Sequence, residues 1–99
     1  MQEMKITFPA WIEGLPKKDQ ARARVRFILR LAAILATQEG SISVLSQRIG
    51  MHKNTLNTMI AAGVMDNGVP VHIIKAIEKV IGVGVIPRSV LNPEVYGDM

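Results

Sequence analysis

Residues 17–39 run without a glycine or proline, whereas from Gly40 onward such breakers recur at Gly50, Gly63, Gly68, Pro70, Gly82, Gly84, Pro87 and Pro93. Glycine weakens a helix interior through backbone entropy, and proline removes a donor and clashes with the preceding turn. A chain punctuated this way can make one long helix followed by short ones, and little else. The unbroken stretch is rich in Ala, Arg, Leu and Ile and predicts a helix from about Lys17 to Gln38, ended by Gly40. At helical period, Phe27, Ile28, Leu31, Ile34 and Leu35 share one broad face, and Arg22, Arg26 and Arg30 form an i, i+4, i+8 stripe on the other side. Val25, Leu29 and Ala33 fall close to that stripe, so the helix is apolar almost all round. Such a helix is expected to be buried on two sides, as at a subunit interface.

The remaining breakers delimit four shorter helices. Val44–Ile49 follows Ser43 as candidate N-cap, and Lys53–Ala62 begins after Met51 or His52 and closes at Gly63. After a turn at Asp66-Asn67-Gly68, Pro70 opens Val71–Ile81, which Gly82 and Gly84 end; Pro87 opens a last turn, Arg88–Leu91, before Asn92-Pro93. Residues 17–99 therefore read as an all-α domain of five helices. Residues 1–16 read as an apolar arm: Met4, Ile6 and Phe8 alternate with Lys5 and Thr7 like a short strand, and one helical turn spans Ala10–Leu15. An arm this short has no core of its own and must pack on the domain or on a second subunit.

With 99 residues and 48% hydrophobic composition, the chain can bury one core. The absence of cysteine excludes a disulfide scaffold and thiolate chemistry, and His52 and His72 have no carboxylate at ligand-like spacing, so no metal or other cofactor is expected. There is no nucleophile–base pair, paired carboxylate or phosphate loop, which argues against an enzyme. The N-terminus lacks an apolar signal region, and the longest apolar stretch, Phe27–Ala36, contains Arg30 and falls short of a membrane span, so a cytoplasmic protein is expected. The net charge of +4 resides in residues 1–30, since residues 31–99 carry equal numbers of acids and bases. Between Glu39 and Asp66 there is no acid at all, while Arg48, His52 and Lys53 lie in the gap. A surface meant for phosphates must exclude carboxylates, because each repels the polyanion.

That gap encloses the most informative segment. Two short helices crossing at a sharp angle need a small residue at the crossing (Ser46), a residue tolerant of positive φ in the turn (Gly50), and apolar wedges (Leu45, Ile49, Met51, Leu56 and Met59). With Leu56 and Met59 turned inward, His52, Lys53, Asn54, Asn57 and Thr58 point outward. Asn can pair bidentately with adenine and Lys can donate to guanine, so this is a face suited to base edges. The pattern predicts a helix-turn-helix whose second helix enters the major groove. Lys53, Asn54, Asn57 and Thr58 are the expected base readers; Ser43, Gln47, His52, Arg22, Arg26 and Arg30 are the expected phosphate contacts.

From Leu45 to Tyr96 the chain resembles the Cro-like phage and prophage regulators, in particular the YdaS-type antitoxin group of the lambda-repressor-like superfamily. The resemblance rests on the helix-turn-helix, Gly63, Val69-Pro70, Ala76-Ile77-Glu78-Lys79, Gly82 with Gly84, Arg88, Leu91, Pro93 and Tyr96. His52-Lys53-Asn54-Thr55-Leu56-Asn57 is also similar to the recognition helix of a phage Cro protein. Val64–Gly68 is longer than usual, one more residue parts Gly82 from Gly84, Asn92 replaces the customary Arg, and Thr58 stands where Gln is frequent. The resemblance implies a five-helix lambda-repressor-like fold and a transcriptional regulator that binds double-stranded operator DNA as a homodimer. The alternative from the same residues is a protein-interaction module, in which the arm and first helix hold a toxin or another regulator.

Overall fold

The computed structural model describes residues 5–97, and helices are its regular elements. A 3-10 turn, Ala10–Gly14, precedes α1 (Lys17–Thr37), α2 (Ile42–Arg48), α3 (Thr55–Ala61), α4 (Val71–Ile81), α5 (Arg88–Leu91) and α6 (Pro93–Tyr96). The fold is all-α. No strand occurs among the described residues: Ile6 and Phe8 lie extended along the domain, with the Phe8 and Phe27 ring centroids 5.6 Å apart. Met4, the first residue of the strand-like alternation, lies outside the described residues.

Helix α1 stops one turn short of Gly40. Gln38 adopts the left-handed conformation (φ 67°) and donates its N–H to the Ile34 carbonyl, closing the helix itself. The buried side of α1 is Val25, Ile28, Leu29, Ala32 and Ala33, whereas Ile34 and Leu35 are exposed and Phe27 and Leu31 half-buried. Of the two sides expected to be buried, the one carrying Val25, Leu29 and Ala33 is buried together with Ile28, whereas Ile34 and Leu35 on the broad apolar face are not. Ala32 and Ala33 are fully buried in the core, where α1 packs on α2.

The second helix begins two residues before the predicted Val44, because Ser41 rather than Ser43 is its cap: Ser41 Oγ accepts the Val44 N–H at 3.3 Å. Leu45, Leu56, Ile73, Ile74 and Ile77 meet Leu29, Ala32 and Ala33 in a core shared by α1 to α4. α4 runs as predicted from behind Pro70 to the residue before Gly82. The sixth helix, beyond the predicted five, exists because Asn92 Oδ1 accepts the Val95 N–H while its Nδ2 donates to the Val69 carbonyl. Val69 N–H in turn donates to the Leu91 carbonyl at 2.8 Å, strapping the C-terminal turns to the start of α4. Gly68 makes this possible: a Cβ there would lie 2.7 Å from the Asn92 backbone. An arginine at 92 could not make these two bonds in that space.

Glu78, buried on α4, is held by Arg88 at the start of α5 through two hydrogen bonds of 3.0 and 2.8 Å. Those bonds hold the Glu78 carboxyl below the usual carboxylate range, against the opposing effect of its burial. The Arg88 guanidinium also lies over the Tyr96 ring, 5.7 Å from its centroid, tying α4, α5 and α6 together. Among the described residues no single helix is long and apolar enough to cross a membrane; α1 and α2 together would be, but they are bent by 56° and pack into the core.

Candidate nucleic-acid interface

The α2–α3 pair is built around a serine. Ser46 is fully buried where the two helices meet, and its Oγ accepts the Leu56 N–H of the first turn of α3 at 3.2 Å. Its own carbonyl accepts the Met51 N–H at 2.9 Å, which fixes the turn that leads into α3. Asn54 supplies no side-chain cap, so α3 takes the acceptor for its first turn from its neighbour. In the turn, Gly50 has φ +87°, a conformation costly for any residue with a Cβ. Nothing crowds the position, so glycine is required there by the backbone alone.

The connection is longer than the sequence pattern implied. The helix starts at Thr55 rather than Lys53, leaving Lys53 and Asn54 in the turn ahead of it. His52 shapes that turn: its carbonyl accepts the Thr55 N–H, and its Nδ1 accepts the Asn54 N–H at 3.1 Å. A neutral ring accepting at Nδ1 carries its proton on Nε2, which is left to donate outward.

His52, Lys53, Asn54, Asn57 and Thr58 are all exposed, as the wedge pattern requires, while Leu56 is buried and Ile49, Met51 and Met59 are half-buried beneath them. Ser43, now within the first turn of α2 rather than its cap, meets Asn57 across the helix pair, the Nδ2 donating to Ser43 Oγ at 3.3 Å. This bond occupies one of the two Nδ2 hydrogens and orients the amide, leaving Oδ1 and the second N–H for a ligand. Gln47 and Arg48 are exposed on α2. Arg48 belongs to the same acid-free stretch and is absent from the sequence-derived contacts, although the charge gap was a signal for it.

The arginines of α1 do not join this cluster. Arg22 Nε donates to Asp66 Oδ1 at 3.2 Å, which commits it to the loop that follows α3. Arg26 and Arg30 line a groove with Trp11 and Phe27. The direction of α1 accounts for this, since its arginine side faces the arm and the α3–α4 loop. Among the described residues, no three His, Asp or Glu side chains gather as a metal site would require. Searches against protein-family models, curated proteins and solved structures each returned no match to this chain.

Proposed function

We propose that this chain is a sequence-specific DNA-binding transcriptional regulator of the Cro-like phage and prophage type, cytoplasmic and without catalytic activity. In this reading α2 and α3 are the helix-turn-helix of a lambda-repressor-like domain. The turn before α3 and its first residues enter the major groove of operator DNA, and two copies address paired half-sites. The observation that carries the reading is the Asn57–Ser43 bond within an acid-free, exposed polar face. An amide held by one Nδ2 hydrogen still offers the acceptor and donor that adenine requires. Lys53 and Asn54 flank it as further base readers and Thr58 lies beside it; Gln47, Arg48 and the His52 Nε2 hydrogen suit flanking phosphates. The resemblance of residues 45–96 to Cro-like regulators points the same way.

The test is binding to a duplex selected from a random pool. Lys53→Ala with Asn57→Ala removes two base contacts worth about 1–3 kcal/mol each, so specific affinity should fall at least about thirtyfold with the circular dichroism spectrum unchanged. Wild-type affinity in the double variant would reject these residues as the readers.

A second reading, a protein-interaction module that docks a toxin or another regulator, is favoured by the exposure of Trp11, Ile34 and Leu35 on the arm and α1. Salt separates the two: DNA affinity must fall steeply with rising salt, whereas an apolar contact is nearly indifferent to it.

A further inference from the structure

A cavity of about 270 Å³ lies between the arm, α1, the α3–α4 loop and α5, and no residue of the α2–α3 pair lines it. Its walls are apolar: Val25, Ile28, Val69 and Leu91 are buried residues, and Phe8 of the arm closes one side. These walls are fixed in place, because Val69 and Leu91 are joined by their 2.8 Å backbone bond and Phe8 rests on Phe27. The loop that is longer than in the Cro-like pattern contributes Asp66, Asn67 and Gly68. Two charged side chains line the cavity, Arg24 and Asp66. Asp66 is already engaged by Arg22, whereas Arg24 is exposed and among the described residues has no ion-pair partner. An adjoining hollow that shares Asp66 and Asn67 with the cavity is lined by Lys17, Lys18 and Arg22 against Asp19, so cations remain in excess there.

We propose that this cavity binds a small monocarboxylate with an apolar body, either an aromatic ring or a medium-length aliphatic chain, whose carboxylate sits on Arg24. Volume sets the size: at about 30 Å³ for each water-sized group, the space holds a body of about eight or nine carbons with the carboxylate at the rim. The apolar walls take up the body, and removing it from water drives binding. The Arg24 guanidinium offers a forked pair of donors to the carboxylate, and Asn67 and Ser89, both exposed at the cavity, carry further donors. A cationic ligand would meet Arg24 as like charge and find Asp66 already engaged, and a neutral one would leave the guanidinium unused. Preformed walls and about ten ligand atoms give a dissociation constant on the order of 100 µM. The inference goes beyond the DNA-binding reading and does not rest on it, since none of the proposed DNA-contacting residues lines the cavity.

Titrating the labelled full chain with octanoate and with phenylpropionate, followed by methyl NMR, tests it. Saturable shifts are expected at the Val25, Ile28, Val69 and Leu91 methyls, with nuclear Overhauser contacts from each ligand to the Phe8 ring. The matching amides should bind at least about fivefold more weakly than the acids, and the matching amines more weakly still. Arg24→Gln, at an exposed position, should weaken the acids at least about fivefold while leaving the amides within about twofold of their wild-type affinity, a split that a general disturbance of the fold would not produce. Ala21→Leu fills part of the cavity and should weaken every ligand at least about tenfold. No saturable shift at these methyls up to about 10 mM ligand would overturn the proposal. Amides that bind as tightly as the acids, or an Arg24→Gln chain that binds the acids as tightly as wild type, would overturn it too. Carboxylate binding without any affinity for DNA spares this site and sinks the DNA reading; operator binding with an indifferent cavity does the reverse.

Discussion

Replacing Ser46 by alanine removes one oxygen and should loosen the element on which the proposed function depends. Ser46 is fully buried, and its Oγ is the acceptor for the Leu56 N–H, itself within a residue that is fully buried. Alanine fits the crossing sterically, so the cost is that of stranding a buried amide hydrogen, about 1–3 kcal/mol. For a domain of this length each kcal/mol shifts Tm by about 4–8 °C, which places the expected fall between about 4 and 24 °C. Thermal unfolding followed by far-ultraviolet circular dichroism measures the loss, and urea unfolding should show a lower midpoint at unchanged m. Amide hydrogen exchange gives the local signature: the Leu56 amide should exchange faster in the variant, because the first turn of α3 loses its acceptor. Ser46→Val should cost more, since a branched side chain has no space where the helices cross. A Tm within about 2 °C of wild type, together with unaltered protection at Leu56, would refute the claim that this serine anchors α3.

The same geometry yields further expectations. Gly50→Ala should cost about 1–2 kcal/mol of backbone strain and still fold, because a Cβ there meets no neighbour, whereas Gly68→Ala collides with Asn92 and should be far more damaging. Urea midpoints in that order are the check, and equal losses would contradict it. Arg88 holds the Glu78 carboxyl below its ordinary value, so the folded state binds fewer protons than the unfolded state as pH falls through and below the usual carboxylate range. The stabilisation is therefore complete above that range and is lost as pH drops through the lowered pKa; Glu78→Gln should flatten this acid limb in a series of melts from pH 7 to about pH 3. Ser43→Ala should weaken operator binding about threefold to tenfold without a change in Tm, since it frees the Asn57 amide to rotate.

What the sequence made legible was what depends on neighbours along the chain. Pro70 and Gly82 bracket an amphipathic stretch, and α4 occupies it residue for residue. Ser46, Gly50 and the apolar wedges are spaced closely enough that burial of Ser46 and Leu56 and exposure of Asn57 and Thr58 follow from helical period. The misses all involve distant partners or competing local choices. A helix apolar almost all round shows no inner side by pattern alone, and only the packing of α1 on its neighbours leaves Ala32 and Ala33 buried and Ile34 and Leu35 exposed. Ser43 is the cap the sequence suggests, but the helix begins two residues earlier and Ser41 caps it. Arg22 meets Asp66 across 44 positions, and no spacing rule reveals that its charge is already engaged. Asn92 was visible only as a departure from the Cro-like pattern, and its reason is a carbonyl at Val69.

The central claim is that the turn and first residues of α3 form the surface that meets DNA. Titrating isotopically labelled protein with duplex DNA and following backbone amides and Asn side-chain amides by NMR addresses it residue by residue. The largest shifts are expected at His52–Thr58 and Ser43, with smaller ones at Gln47 and Arg48, and a quiet outer face of α1. Shifts confined to Arg26, Arg30 and the arm, with the Asn57 side-chain amide unmoved, would contradict it.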